Sequence, residues 1–64
     1  MMDDPNFIVQ GLWSDGSICG SEDGSDDLNN AISKAKALVR SSYFEGSYVR
    51  VITRDGDLEW SSRD

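Results

Sequence analysis

The sequence contains no histidine, which removes the usual neutral-pH general base and the commonest metal ligand. It has one cysteine, Cys19, so no disulfide can close within the chain, and a disulfide-stapled secreted scaffold is excluded. Cys19 also lacks the histidine partner or basic sequence neighbour that activates a thiol, so strand packing is its expected role. No apolar run approaches the roughly 18 residues of a membrane-spanning helix. The most informative shortage is of positive charge. Residues 1–27 hold seven acids (Asp3, Asp4, Asp15, Glu22, Asp23, Asp26 and Asp27) and no base.

The 64 residues carry a net charge of −6. A chain this short forms one domain, 1–64, burying roughly 60% of the surface it exposes unfolded. It cannot also enclose a deep ligand pocket, which takes about 300 Å³ or more. The opening Met1-Met2-Asp3-Asp4-Pro5 is acidic, whereas a secretory signal begins basic and then turns apolar. The expected location is therefore cytoplasmic, in a cell's own cytoplasm or that of an infected host. All six bases fall in residues 28–64, beside five acids. Ordinary solubility accounts for some of this imbalance. The functional expectation is an acidic face that meets a basic partner. Direct nucleic-acid binding is disfavoured, because each phosphate contact calls for a lysine or arginine.

Catalytic and metal motifs are missing. The carboxylate pairs Glu22/Asp23, Asp26/Asp27 and Asp55/Asp57 fall in turn-like sequence, whereas hydrolytic pairs need a cleft that raises one of the two pKa values. Counted from Asp23, a calcium loop would need glycine at its sixth position and glutamate at its twelfth, but the chain offers Leu28 and Lys34. No phosphate-binding glycine loop matches. The expectation is a protein that is not an enzyme and uses no cofactor.

Hydropathy patterning predicts the order β-β-α-β-β. Phe7 to Trp13 is β-branched and aromatic and stops at Asp15-Gly16, a turn signal. A short second strand is expected over 17–21, and a polar loop over 22–27. Ser25 is the expected N-cap, with Asp26 and Asp27 in the first helical turn. Leu28, Ile32, Ala35, Leu38 and Val39, with Ala31 beside them, form one apolar helical stripe. The helix should end between Ser41 and Tyr43. Phe44 to Ser47 reads as a connection, Tyr48 to Thr53 as the clearest strand, and Asp55-Gly56 as a second turn. Leu58 to Ser61 closes the hairpin, with Leu58 and Trp60 expected on one face. Residues 1–6 and 62–64 should fray.

The fold class is therefore α+β, a small antiparallel sheet with one amphipathic helix on one face. One helix covers one face, so some of Phe7, Trp13, Tyr48, Ile52 and Trp60 should be exposed or buried by another chain. The expected partner-binding residues are Asp15, Glu22, Asp23, Asp26, Asp27, Trp13 and Trp60. Two functions stay open. One is an inhibitor whose acidic face covers the basic surface of a nucleic-acid-binding protein; the other is a regulatory or structural subunit dimerising through the bare sheet. Neither requires nucleic acid or membrane as a direct partner, and the chain is expected to be a monomer or a homodimer.

Small size, the −6 charge, the acidic stretch Asp15 to Asp27 and the hairpin layout together resemble small acidic phage-encoded anti-CRISPR proteins and similar host-takeover inhibitors. That resemblance implies a DNA mimic that occupies the basic channel of a CRISPR effector. The ending Val49 to Trp60 is also similar to the last hairpin of small bacterial ββαββ domains, which bears on fold and implies no activity.

Overall fold

Phe7–Leu12 (β1) and Ile18–Asp23 (β2) form one antiparallel hairpin, and Tyr48–Thr53 (β3) and Leu58–Ser61 (β4) form the other. The helix Leu28–Arg40 (α1) lies between them in sequence. The computed structural model describes residues 5–63. The first strands of the two hairpins pair antiparallel at the centre, giving a four-stranded sheet in the order β2-β1-β3-β4. The fold is α+β, of ββαββ order, as the patterning implied.

Both hairpins turn by the same device. The N–H of Gly16 donates to the Trp13 carbonyl and that of Trp13 to the Ser17 carbonyl; Gly56, Thr53 and Asp57 repeat the pattern. In each turn the glycine alone takes a positive φ, 91° at Gly16 and 103° at Gly56, while the preceding aspartate keeps a negative one. The Asp-Gly pairs thus form three-residue hairpin loops with a glycine bulge and not two-residue turns.

The second strand runs two residues further than the sequence suggests, to Asp23, so Glu22 and Asp23 belong to an edge strand and not to a loop. The helix N-cap is Asp27, whose carboxylate accepts from the N–H of Asn30, and no acid lies in the first turn. Ser25 acts one step earlier, its Oγ accepting from the N–H of Asp27. Asp26 is likewise outside the helix and accepts from the N–H of Asn6. At the other end, Ser42 adopts φ 56° while its N–H reaches the Val39 carbonyl and that of Tyr43 reaches Leu38. This is a Schellman termination with serine where glycine is usual.

Ala31 and Ala35 are the helix residues fully buried on the sheet, and their small side chains bring the helix axis close to Val9, Val49 and Val51. Leu28, Ile32 and Leu38 flank them half-buried, whereas Val39 is 44% exposed and marks the margin of the stripe. Phe44, which the sequence places in a connection, packs on this core across the cross-strand pair Gly11 and Gly20. Phe7 and Trp60 also pack on the helix side. A bulge between Val51 and Ile52 in the pairing with β4 sets Trp60 opposite Val51 and Leu58 opposite Ile52. Trp60 and Leu58 therefore lie on opposite faces, contrary to the simple alternation read from the sequence. Both ends of the described segment make contacts with the sheet. Asn6 accepts from the N–H of Arg54, Ser62 exchanges bonds with Val49, and the Arg63 guanidinium sits 4.5 Å over the Tyr48 ring. Residues 1–4 and 64, also expected to fray, lie outside the described residues.

Candidate functional site

Strand pairing gathers the acids at one end of the molecule. Asp23 pairs with Ile8 and Thr53 pairs with Phe7, so the end of β2 and the end of β3 both lie where β1 begins. Phe7 exchanges backbone hydrogen bonds with Gly24 and Ser25, and Asn6 joins Asp26 to the backbone of Arg54. The β3–β4 turn and the start of α1 therefore stand together. Glu22, Asp23, Asp26, Asp27, Asp55 and Asp57 collect at this end, against the cations Lys34 and Arg54. Lys34 is drawn there by its Nζ, which donates to the Asp23 carbonyl at 2.6 Å. Glu59 stands at the same level, since its neighbours Leu58 and Trp60 pair with Ile52 and Val51, in register with Asp23 and Glu22. The remaining described charged residues are Asp15 and Glu45 with Lys36, Arg40, Arg50 and Arg63, a set with a positive excess. The negative charge of the described chain is thus polar in its placement.

The seven residues singled out from the sequence do not form one patch. Glu22, Asp23, Asp26 and Asp27 share the acidic end. Trp13 and Asp15 sit at the tip of the β1–β2 hairpin, separated from it by the length of β2, about 20 Å for six residues. Trp60 lies on the far edge strand, half-buried on the helix side. Asp55 and Asp57 belong with the acidic group and were not singled out. Nothing local could have flagged them, because they join through the β1–β3 pairing.

Several of these carboxylates also hold the fold. The Tyr43 hydroxyl donates to Glu22 Oε2, which ties the helix exit to the edge strand and raises the tyrosine pKa through that hydrogen bond and the nearby charge. Asp15 accepts from both the N–H and the hydroxyl of Ser17, at 2.9 and 2.7 Å, and these bonds lower its pKa, the backbone one most. Asp26 and Asp27 serve the helix entry as described above. Asp23, Asp55 and Asp57 are exposed on the surface of the acidic end.

The second face of the sheet carries no helix. Ile8, Gln10, Tyr48, Arg50 and Ile52 alternate onto it from the central strands, with Leu58 beside Ile52. Ile52 is buried between its neighbours, Tyr48 is half-buried, and Ile18 and Leu58 are 54% and 61% exposed. Of the residues expected bare, Trp13 is 42% exposed at the hairpin tip, whereas Phe7 and Trp60 belong to the helix-side core. Over β3 and β4 lies an open concavity of about 490 Å³, bordered by Tyr48, Arg50, Leu58, Glu59, Trp60 and Arg63.

Among the described residues, no group of three or more histidine, cysteine, aspartate or glutamate side chains is placed to hold a metal ion. Among the described residues, no helix is long and apolar enough to cross a membrane. No family model, curated protein or solved structure matches the chain, so any function must be argued from the charge and shape of these two surfaces.

Proposed function

We propose that the protein is a non-catalytic binding protein whose acidic end covers the basic surface of a nucleic-acid-binding partner. The observation that carries this reading is the meeting of Asp23, Asp26 and Asp27, from the end of β2 and the helix entry, with Asp55 and Asp57 of the β3–β4 turn, at one end of the sheet. A surface built to grip phosphates presents lysine and arginine. A dense carboxylate group offers it the matching sign, steers encounter and competes with nucleic acid for the same contacts. The resemblance to anti-CRISPR inhibitors makes a guide-loaded CRISPR effector the first partner to test.

The experiment is competition between this protein and duplex DNA for such an effector, at low and high salt. The variant is Asp23→Lys/Asp55→Lys/Asp57→Lys, which spares the helix cap Asp27 and the Tyr43 partner Glu22. The expected outcome is displacement of DNA by the native chain, with at least tenfold weaker displacement and a flatter salt dependence in the variant. Equal displacement by both chains would defeat the reading.

A second reading, a subunit that dimerises through the uncovered sheet face, is favoured by the exposure of Ile18 and Leu58. It requires a concentration-dependent dimer in sedimentation that Leu58→Asp abolishes. A monomer throughout the concentration range removes it.

A further inference from the structure

We infer that the groove over β3 and β4 is a binding site for an acidic peptide segment in extended conformation, with carboxylates two residues apart. This site is opposite in sign to the acidic end, and it uses other residues.

Its chemistry comes from two arginines. Arg50 is half-buried, and its Nε donates to Gln10 Oε1 across the sheet at 2.9 Å. That bond holds the guanidinium in place and leaves its terminal nitrogens without a hydrogen-bond partner among the described residues. Arg63 lies over the Tyr48 ring, and its Nη1 reaches the Ser14 carbonyl only at 3.4 Å. A guanidinium held over an aromatic ring keeps N–H donors available for a carboxylate. Among the described residues, Glu59 is the one carboxylate bordering the groove, and it forms no ion pair with either arginine. Two preorganised cations thus face an open groove with Leu58 and Tyr48 as its apolar walls.

Geometry selects the form of the ligand. Tyr48, which carries the Arg63 guanidinium, stands two residues from Arg50 on β3, about 6.7 Å along a strand. Carboxylates at alternate positions of an extended peptide repeat at that same interval. The groove is open along its length and does not enclose a compact anion. The chain's own acids do not forbid an acidic ligand. Asp55 and Asp57 lie beyond Thr53, which stands three and five residues from Arg50 and Tyr48, about 10 and 17 Å along β3. Those separations are one to two screening lengths at physiological salt, where the screening length is about 8 Å, and the nearer Glu59 forms no ion pair with either arginine.

The test uses end-capped, fluorescein-labelled peptides of sequence Thr-Val-Glu-Val-Glu-Val, its glutamine counterpart Thr-Val-Gln-Val-Gln-Val, and a single-stranded oligothymidine, read by anisotropy on the full chain. The glutamate peptide is expected to bind at least about tenfold tighter than the glutamine peptide, the scale of losing one charge-assisted bidentate contact. Arg50→Gln and Arg63→Gln are each expected to remove about that factor, while Arg40→Gln, outside the groove, leaves affinity unchanged. Arg63 lies beyond the last strand, so its variant reports on binding even if Arg50→Gln disturbs the sheet; circular dichroism confirms the fold of each. Equal affinity for the two peptides, unchanged affinity in both groove variants, or tighter binding of oligothymidine would overturn the inference. So would self-association in sedimentation that Arg50→Gln abolishes, since a second copy would then occupy the groove. None of these outcomes bears on the acidic end, whose residues are untouched.

Discussion

The Phe44 ring rests directly on Gly11: a methyl group placed on Gly11 would lie 2.3 Å from Phe44 Cγ. Gly20, paired with Gly11 across the strands, accepts the other part of the ring, where a Cβ would meet Phe44 Cε1 at 3.0 Å. The glycine pair is thus a seat cut into the sheet. The ring also meets Tyr43 edge-on at 5.1 Å, so the segment leaving the helix is anchored by both aromatics.

Gly11→Ala should destabilise the fold by about 1–3 kcal/mol, the usual cost of overpacking a well-filled site. In a Phe44→Ala background the same substitution should cost much less, because its collision partner is gone. Urea denaturation of the two single variants and the double variant measures that coupling. Additive losses would show that Gly11 is required for some reason other than the ring.

Asp27→Ala should lower stability by about 1 kcal/mol and the melting temperature by about 4–8 °C, the loss of an N-cap in a domain this small. Ser25→Ala should cost less than half as much, since Ser25 supports only the N–H of Asp27. A larger effect at Ser25 would return the cap to the position that the sequence pattern first suggests.

Ser42→Gly should stabilise the protein by about 0.5–1 kcal/mol. The left-handed backbone at Ser42 costs a residue with a side chain about 1–2 kcal/mol, and the greater unfolded-state freedom of glycine offsets part of the gain. Ser42→Val should act in the opposite direction. Thermal melts of the pair provide the check.

Glu22→Gln should return the Tyr43 ionisation toward 10, because the carboxylate that accepts from the hydroxyl is what holds the tyrosine pKa up. A raised folded-state pKa contributes stability that is complete below the unfolded value and is lost as pH rises through the folded one. The native chain should therefore lose this contribution on the alkaline side of 10, and the Gln variant should lack it at every pH. A tyrosinate absorbance titration in a Tyr48→Phe background isolates the one phenol.

Charge reversal should separate the two ends of the molecule. Asp55→Lys should weaken binding to a basic partner by about threefold or more, the scale of an exposed charge pair. Asp15→Lys should leave that binding unchanged, because Asp15 stands at the opposite end of β2. Equal effects at the two positions would mean that the net charge, and not its placement, governs association.

Much of the fold was legible because its determinants are local. Asp15-Gly16 and Asp55-Gly56 mark both turns, since only the glycine accepts the positive φ. Alternation in Tyr48 to Thr53 and the three- and four-residue spacing from Leu28 to Leu38 define the elements that meet in the core. The misplacements were at boundaries and in pairing. Ser25, Asp26 and Asp27 are all good capping residues, and only the bond to the N–H of Asn30 selects among them. The bulge that turns Trp60 to the helix side leaves no mark in a four-residue strand. Phe44 lacks a periodic context, so its seat on Gly11 and Gly20 becomes visible only once β1 and β2 are paired.

The sequence by itself determined the elements, their order and the absence of bases from the first 27 residues, because turn chemistry, side-chain period and charge count act over a few neighbouring positions. Tertiary structure alone decided which charges share a surface. Antiparallel pairing of β1 with β3 carried Asp55 and Asp57 to the helix entry, left Asp15 at the far tip, and set Arg50 beside Gln10 on the uncovered face. That register is chosen by burying Val9, Val49 and Val51 under Ala31 and Ala35, a free energy that depends on apolar contact across the chain and is indifferent to where the charges end up.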